Sequence, residues 1–149
     1  MPQPVPKRLI ADDQAGLEVI SAAVQDAVCK AADLNYAPSQ KHFSIEINRF
    51  HWESAHGKGP YFRSRSIIGF DSVLGVRSRG LPLRGDKEAV LQVLSLSFDE
   101  TDAPAGIVRL IFAGSGELEL DVECVDVTLL DTDRFWPARK RPDHERKID

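Results

Sequence analysis

The sequence predicts an α+β fold: one N-terminal amphipathic helix packed on a curved, mainly antiparallel sheet of about seven or eight strands, closed into a partial barrel. Three observations carry this reading. A helical apolar period occurs only near the start of the chain. From Lys30 onward the period is two, and two long apolar stripes change parity part-way, the mark of bulged, bent strands. A pleckstrin-homology-like barrel is the alternative architecture, and it needs a C-terminal capping helix that the tail ARKRPDHERKID does not encode.

The chain has 149 residues, 42% of them hydrophobic and 28% charged, which suits one globular domain with its own core. We place that domain at residues 7–137. Residues 1–6, with three prolines, read as an extended lead-in, and residues 138–149 as a charged, disordered tail. Cys29 and Cys124 show neither CxxC nor zinc spacing, so both are expected as reduced thiols, with no metal and no cofactor implied. No apolar run is long enough to span a bilayer, and MPQPVPKRLIADD lacks the apolar region of a secretory signal; no membrane partner and a cytoplasmic location are expected.

The elements follow in order. Arg8 to Ala11 reads as a short strand, and Asp12 or Asp13 as the cap of the helix, since a carboxylate accepts from an orphan N–H of the first turn. Leu17, Ile20, Val24 and Val28 line one helical face. In His42 to Trp52 the apolar residues move from odd (Phe43, Ile45, Ile47) to even positions (Phe50, Trp52), predicting a bulge near Asn48-Arg49. Phe62 to Gly80 reads as a hairpin turning at Asp71 to Val73, pairing Phe70 with Leu74, Ile68 with Val76 and Arg65 with Arg79. Glu88 to Leu91 reads as a helical turn before a strand at Val93 to Phe98. A loop at Gly114 to Gly116 would set Phe112 opposite Leu118, Leu110 opposite Leu120 and Arg109 opposite Asp121. Leu118 to Leu129 changes parity again, predicting a second bulge near Cys124-Val125.

A net charge of −4 excludes a generally basic nucleic-acid binder but conceals a division along the chain. Residues 49–85 carry seven Lys/Arg against two carboxylates, whereas residues 99–133 carry ten carboxylates against Arg109 alone. The predicted hairpin gathers Arg63, Arg65, Arg77 and Arg79, and like charges facing one another on a sheet need neutralisation. Carboxylates Glu117, Glu119, Asp121 and Glu123 supply it if their strand lies alongside. Otherwise the arginines, whose planar fork suits phosphate, form a surface for an anionic ligand or nucleic acid. The same four carboxylates are a poor metal cage, because alternate residues of one strand stand in a row almost 7 Å apart instead of converging.

No GxSxG, HExxH, P-loop or GxGxxG pattern occurs. The nearest approach to a catalytic constellation is His51 with Glu53, an acid/base pair on one strand face, with His56 of the loop HGKGP as an added ligand. Opposed to it stands a plain reading: a histidine on the solvent face of a strand end. Trp52 and Trp136 read as packing residues.

Four strings taken together, LIADDQAGLEVISAAVQDAV (9–28), INRFHWE (47–53), FDSVLGVRSRG (70–80) and LIFAGSGELELDVECVDVTLLD (110–131), make the chain resemble the domain of unknown function 2948 family of small bacterial proteins over about residues 7–137. The resemblance implies a bacterial, cytoplasmic, whole-chain domain and brings no activity or catalytic residue. Function therefore rests on the residues. The sequence points first to a non-catalytic binding or interaction module with a protein partner, or self-association through an edge strand or the apolar strip at Phe135-Trp136. Its alternatives are an anion or nucleic-acid binder at Arg63, Arg65, Arg77 and Arg79, and a hydrolase-type enzyme using His51 and Glu53.

Overall fold

The computed structural model describes residues 5–55, 57, 59–82, 85–138 and 142. Its elements are β1 (Arg8–Ala11), α1 (Gln14–Ala23), β2 (Val28–Lys30), β3 (Leu34–Ala37), β4 (His42–Phe50), β5 (Tyr61–Phe70), β6 (Val73–Arg79), β7 (Val90–Glu100), β8 (Gly106–Phe112), β9 (Glu117–Val122) and β10 (Val127–Ala138). The strands form one antiparallel sheet in the order β1-β10-β5-β4-β2-β7-β8-β9-β6, with β3 added on β4. A mainly antiparallel sheet with one helix is as expected. The strand count is ten because β2 and β3 are too short to show a period, and because Leu118 to Leu129 is two strands. Among the described residues the last element is a strand, β10, and the C-terminal capping helix that a pleckstrin-homology-like barrel requires is not among them. No described helix is long and apolar enough to cross a membrane.

Helix α1 begins where Asp13 accepts the Gly16 N–H at 2.7 Å. Leu17 and Ile20 are buried and pack α1 on β7 and β1, worth about 1.5–3 kcal/mol per side chain. Gly16 allows the close seat on β1, since a Cβ there would stand 3.1 Å from Ala11. The helix stops at Ala23 instead of continuing to Val28. Asp26 adopts a left-handed conformation (φ 63°), and Val28 opens β2 opposite Gln92 and Asn48.

Neither parity change is a bulge. The β4/β5 register runs without interruption from Phe43↔Phe70 to Phe50↔Arg63. The odd stripe of β4 simply continues into a buried arginine, Arg49, while Phe50 is buried on the opposite face under Trp52 and Tyr61, ring centroids 4.8 and 5.8 Å away. At Cys124-Val125 the chain leaves β9, which lies between β8 and β6, and crosses to β10, between β1 and β5. Real register shifts fall at Asp131/Phe135, Val73/Gly75 and Val93/Ser95.

The Phe62 to Gly80 hairpin does not form, because β5 pairs with β4 and β10 whereas β6 pairs with β9. The peptide groups of the connection bond elsewhere: Asp71 N–H to Asp126 O and Val73 N–H to Lys41 O, both at 2.9 Å, while Ser72 O accepts from Glu123 N–H. In the β8/β9 hairpin the register slips by two, to Leu110↔Leu118, Val108↔Leu120 and Arg109↔Glu119, with Phe112 N–H closing the loop on Gly116 O, one residue earlier in the chain than expected. A slip of two leaves every side chain on its intended face. The turn expected at Glu88 to Leu91 lies earlier, with Ala89 N–H on Asp86 O, and Val90 and Leu91 already belong to β7. The tail expected to be disordered falls outside the described residues, apart from Ala138, the last residue of β10, and Pro142.

Candidate functional site: a buried polar layer under an open cavity

Strands β4, β5 and β10 lie side by side, and each carries an apolar inward stripe that turns polar at the same level. On β4, Phe43, Ile45 and Ile47 give way to Arg49 and, past the strand end, His51 and Glu53; on β5, Phe70 and Ile68 to Ser66 and Ser64; on β10, Val127 and Leu129 to Asp131. Ser66 stands opposite both Ile47 and Asp131. The stripes therefore end together and leave a polar layer inside the fold.

Arg49 is its centre, with a side chain that is 0% exposed. Its Nε and Nη2 grip Asp131 at 2.7 and 2.8 Å, and Nη1 and Nη2 grip Glu53 at 3.1 and 2.7 Å, so one guanidinium forks two carboxylates. Nη1 also donates to Ala23 O at 3.4 Å, a carbonyl left open at the C-terminus of α1. Asp131 further accepts from Ser66 Oγ at 2.7 Å and Lys7 N–H at 2.9 Å. Burial alone would raise the Asp131 carboxyl, but the bonds from Arg49, Ser66 and Lys7 outweigh it and hold it below its ordinary range. Glu53 is likewise held well below its ordinary range against the effect of burial, by His51 and Arg49. Arg49 is the sounder cause of the two: His51 Nδ1 lies 3.4 Å from Glu53 Oε2 yet makes no hydrogen bond, alone in this among the buried side-chain polar atoms of the described residues.

His51 and Glu53 thus lie close together, but not as a pair on one face of a strand end. His51 is 0% exposed, not on a solvent face, and Trp52–Ser54 form a 3-10 turn where a strand end was expected. His51 Nε2 meets Ser64 Oγ at 2.8 Å, so serine, histidine and glutamate follow one another in the order of a hydrolytic triad, but the histidine–glutamate bond of a triad is not made. Ser64 and His51 are both fully enclosed, however, and the Ser64 hydroxyl also faces Ser66 and Asp131. A nucleophile needs a substrate beside it, and none can reach this one without opening the sheet. His51, Glu53 and Asp131 also bring ligand atoms within 4.8 Å of one another. They do not suit a metal, because Arg49 lies between the two carboxylates and a divalent cation bridging them would be forced against the guanidinium. His56 lies outside the described residues.

Glu53 is the outlet of the layer, its side chain 34% exposed. It lines an open cavity of about 380 Å³ whose other walls are Lys7 and Leu9 of the β1 region, Val19, Ala22 and Ala23 of α1, and Trp52. Trp52 is held in place by Nε1–H donating to Gln25 O at 2.9 Å and by its edge-on contact with Phe50.

The arginine surface is dispersed. Arg77 pairs with Asp121 at 2.6 Å and Glu119 at 3.3 Å, and Arg79 with Glu117, so β9 neutralises β6 strand against strand. Arg65, on another part of the sheet, meets Asp33 at 3.2 Å, Glu46 at 3.4 Å and Asn48 Oδ1 at 3.2 Å. Arg63 lies over the Phe50 ring, 5.7 Å from its centroid, and donates to Asn48 O. The mutual repulsion that motivated an anion site is absent, because these arginines never face one another.

A protein-family model described as "Protein of unknown function (DUF2948)" matches residues 7–144. The chain belongs to the DUF2948 family. No curated protein and no solved structure matches it. In this DUF2948 chain the family strings acquire physical roles: NRFHWE supplies Arg49, His51 and Glu53, and the end of LLD supplies Asp131.

Both cysteines are free, Cys29 buried and Cys124 partly so. Burial, with Asp33 nearby, pushes the Cys29 thiol up to about 12, Arg65 opposing. Iodoacetamide at about pH 8 is therefore expected to leave Cys29 unlabelled in the folded protein and to label it in urea, read by peptide mass spectrometry. Rapid labelling without denaturant would show that β2 opens.

Proposed function

We propose that this chain is a non-catalytic binding module whose site is the cavity between α1, β1 and the Trp52 turn. One observation carries the reading. Of the charged groups in the polar layer, Arg49 and Asp131 are sealed inside and Glu53 alone reaches the cavity wall. The layer thus acts as a scaffold for a wall residue, which is what an apolar cavity with a few placed polar groups requires. The enclosure of Ser64 and His51 favours binding over hydrolysis, and the internal pairing of Arg77 and Arg79 favours it over an anion-binding sheet.

A fragment screen followed by amide chemical shifts is expected to move Leu9, Val19, Ala22 and Trp52. Ala22 is exposed on α1, so Ala22→Trp should fill the cavity and abolish those shifts with little change in melting temperature. Ester turnover that disappears in Ser64→Ala would overturn the non-catalytic reading, and shifts unaffected by Ala22→Trp would move the site elsewhere.

A further inference from the structure

Resting on that reading, we infer that the cavity takes a small zwitterion with an apolar body, of the apolar amino-acid class, its ammonium on Glu53 and its carboxylate on Lys7. The two are the charged residues among the cavity walls and are of opposite sign. Both are tied to the same buried layer. Glu53 is forked by Arg49 at 2.7 and 3.1 Å. Lys7 exchanges two backbone bonds with Asp131, Lys7 N–H to Oδ2 and Asp131 N–H to Lys7 O, each 2.9 Å. The Glu53 carboxylate and the Lys7 backbone are therefore both tied to the Arg49–Asp131 pair.

The charges are also not fully cancelled. Arg49 is one cation shared between two carboxylates, so the set carries one net negative charge, and its accessible member is Glu53. Lys7 has no ion-pair partner among the described residues, and its side chain is left to a ligand. A purely cationic ligand meets Lys7 as a like charge, and a purely anionic one meets Glu53; a zwitterion satisfies both. Leu9, Val19, Ala22 and Trp52 cover the apolar body, and about 380 Å³ lies near the small end of ligand cavities, matching one amino-acid side chain better than a cofactor.

The test compares four probes with the same branched apolar body by chemical-shift titration: L-leucine, isoamylamine without the carboxylate, isocaproate without the ammonium, and the neutral isohexanol. Leucine is expected to bind more tightly than isoamylamine and isocaproate by about two- to five-fold each, the range for exposed ion pairs. In Lys7→Gln the advantage over isoamylamine should vanish while that over isocaproate persists. Equal binding of all four would overturn the zwitterion and leave the cavity standing as a binding site. Failure of every probe, isohexanol included, to shift the cavity residues would overturn both.

Discussion

Replacing Arg49 with alanine is expected to destabilise the fold by about 3–5 kcal/mol, the range for removing one partner of a buried ion pair. Asp131 would be left fully enclosed without its cation, keeping its bonds from Ser66 and Lys7, and Glu53 would lose both of its arginine contacts. At roughly 2–4 °C per kcal/mol for a chain of this size, the melting temperature should fall by about 6–20 °C. Arg49→Lys should recover only part of this, because a compact ammonium cannot fork two carboxylates, and it remains measurable if the alanine variant fails to fold. Urea unfolding of both variants is the check. A loss within about 1 kcal/mol for Arg49→Ala would mean that the layer is solvated and contributes little.

Acid should unfold the protein through the same layer. The folded-state pKa values of Asp131 and Glu53 lie below their ordinary 3.8 and 4.5, so between the two sets of values the unfolded chain binds more protons than the folded one. The stability they contribute is complete above the unfolded values and is lost as pH falls through the folded ones. Each group that titrates differently changes the slope by up to about 1.4 kcal/mol per pH unit. The wild-type urea midpoint should therefore drop steeply below about pH 4.5, and Asp131→Asn, having one such group fewer, should start lower and fall less. Glu53→Gln, at the partly exposed position, provides the same comparison if Asp131→Asn is too unstable. Parallel slopes for wild type and both variants would place the acid-sensitive groups elsewhere.

Arg49 explains why half of this site was hard to see in sequence. His51 and Glu53 stood out because histidine next to a carboxylate is a chemical signal at short range. Arg49 stood in plain view as the next member of the stripe Phe43, Ile45, Ile47, yet an arginine there reads as the end of an apolar face and suggests a bulge. Its meaning depends on Asp131, 82 residues away, and on two serines that carry no signal of their own. A stripe that turns polar on one strand is a strand end; three adjacent strands turning polar at one level are a buried layer, and adjacency is not written in any one of them. The arginines failed in the opposite direction. Arg65 and Arg79 looked paired because β5 and β6 follow one another in sequence, but the connection between them bonds to other loops and sends them to different partners.

What the sequence determined by itself is what short-range physics decides: a helix capped by one of the aspartates Asp12 and Asp13, period-two strands with their buried faces, two cysteines left as thiols, and a basic and an acidic segment able to neutralise each other. These depend on contacts within a few residues or on composition. The tertiary structure alone decided which strands meet, and so created the polar layer, the enclosure of Ser64 and His51, and the cavity with Lys7 and Glu53 in its walls. Strand pairing is a choice among many apolar stripes of similar hydrophobicity. It is settled by how all of them bury together, a property of the whole chain and of no segment within it.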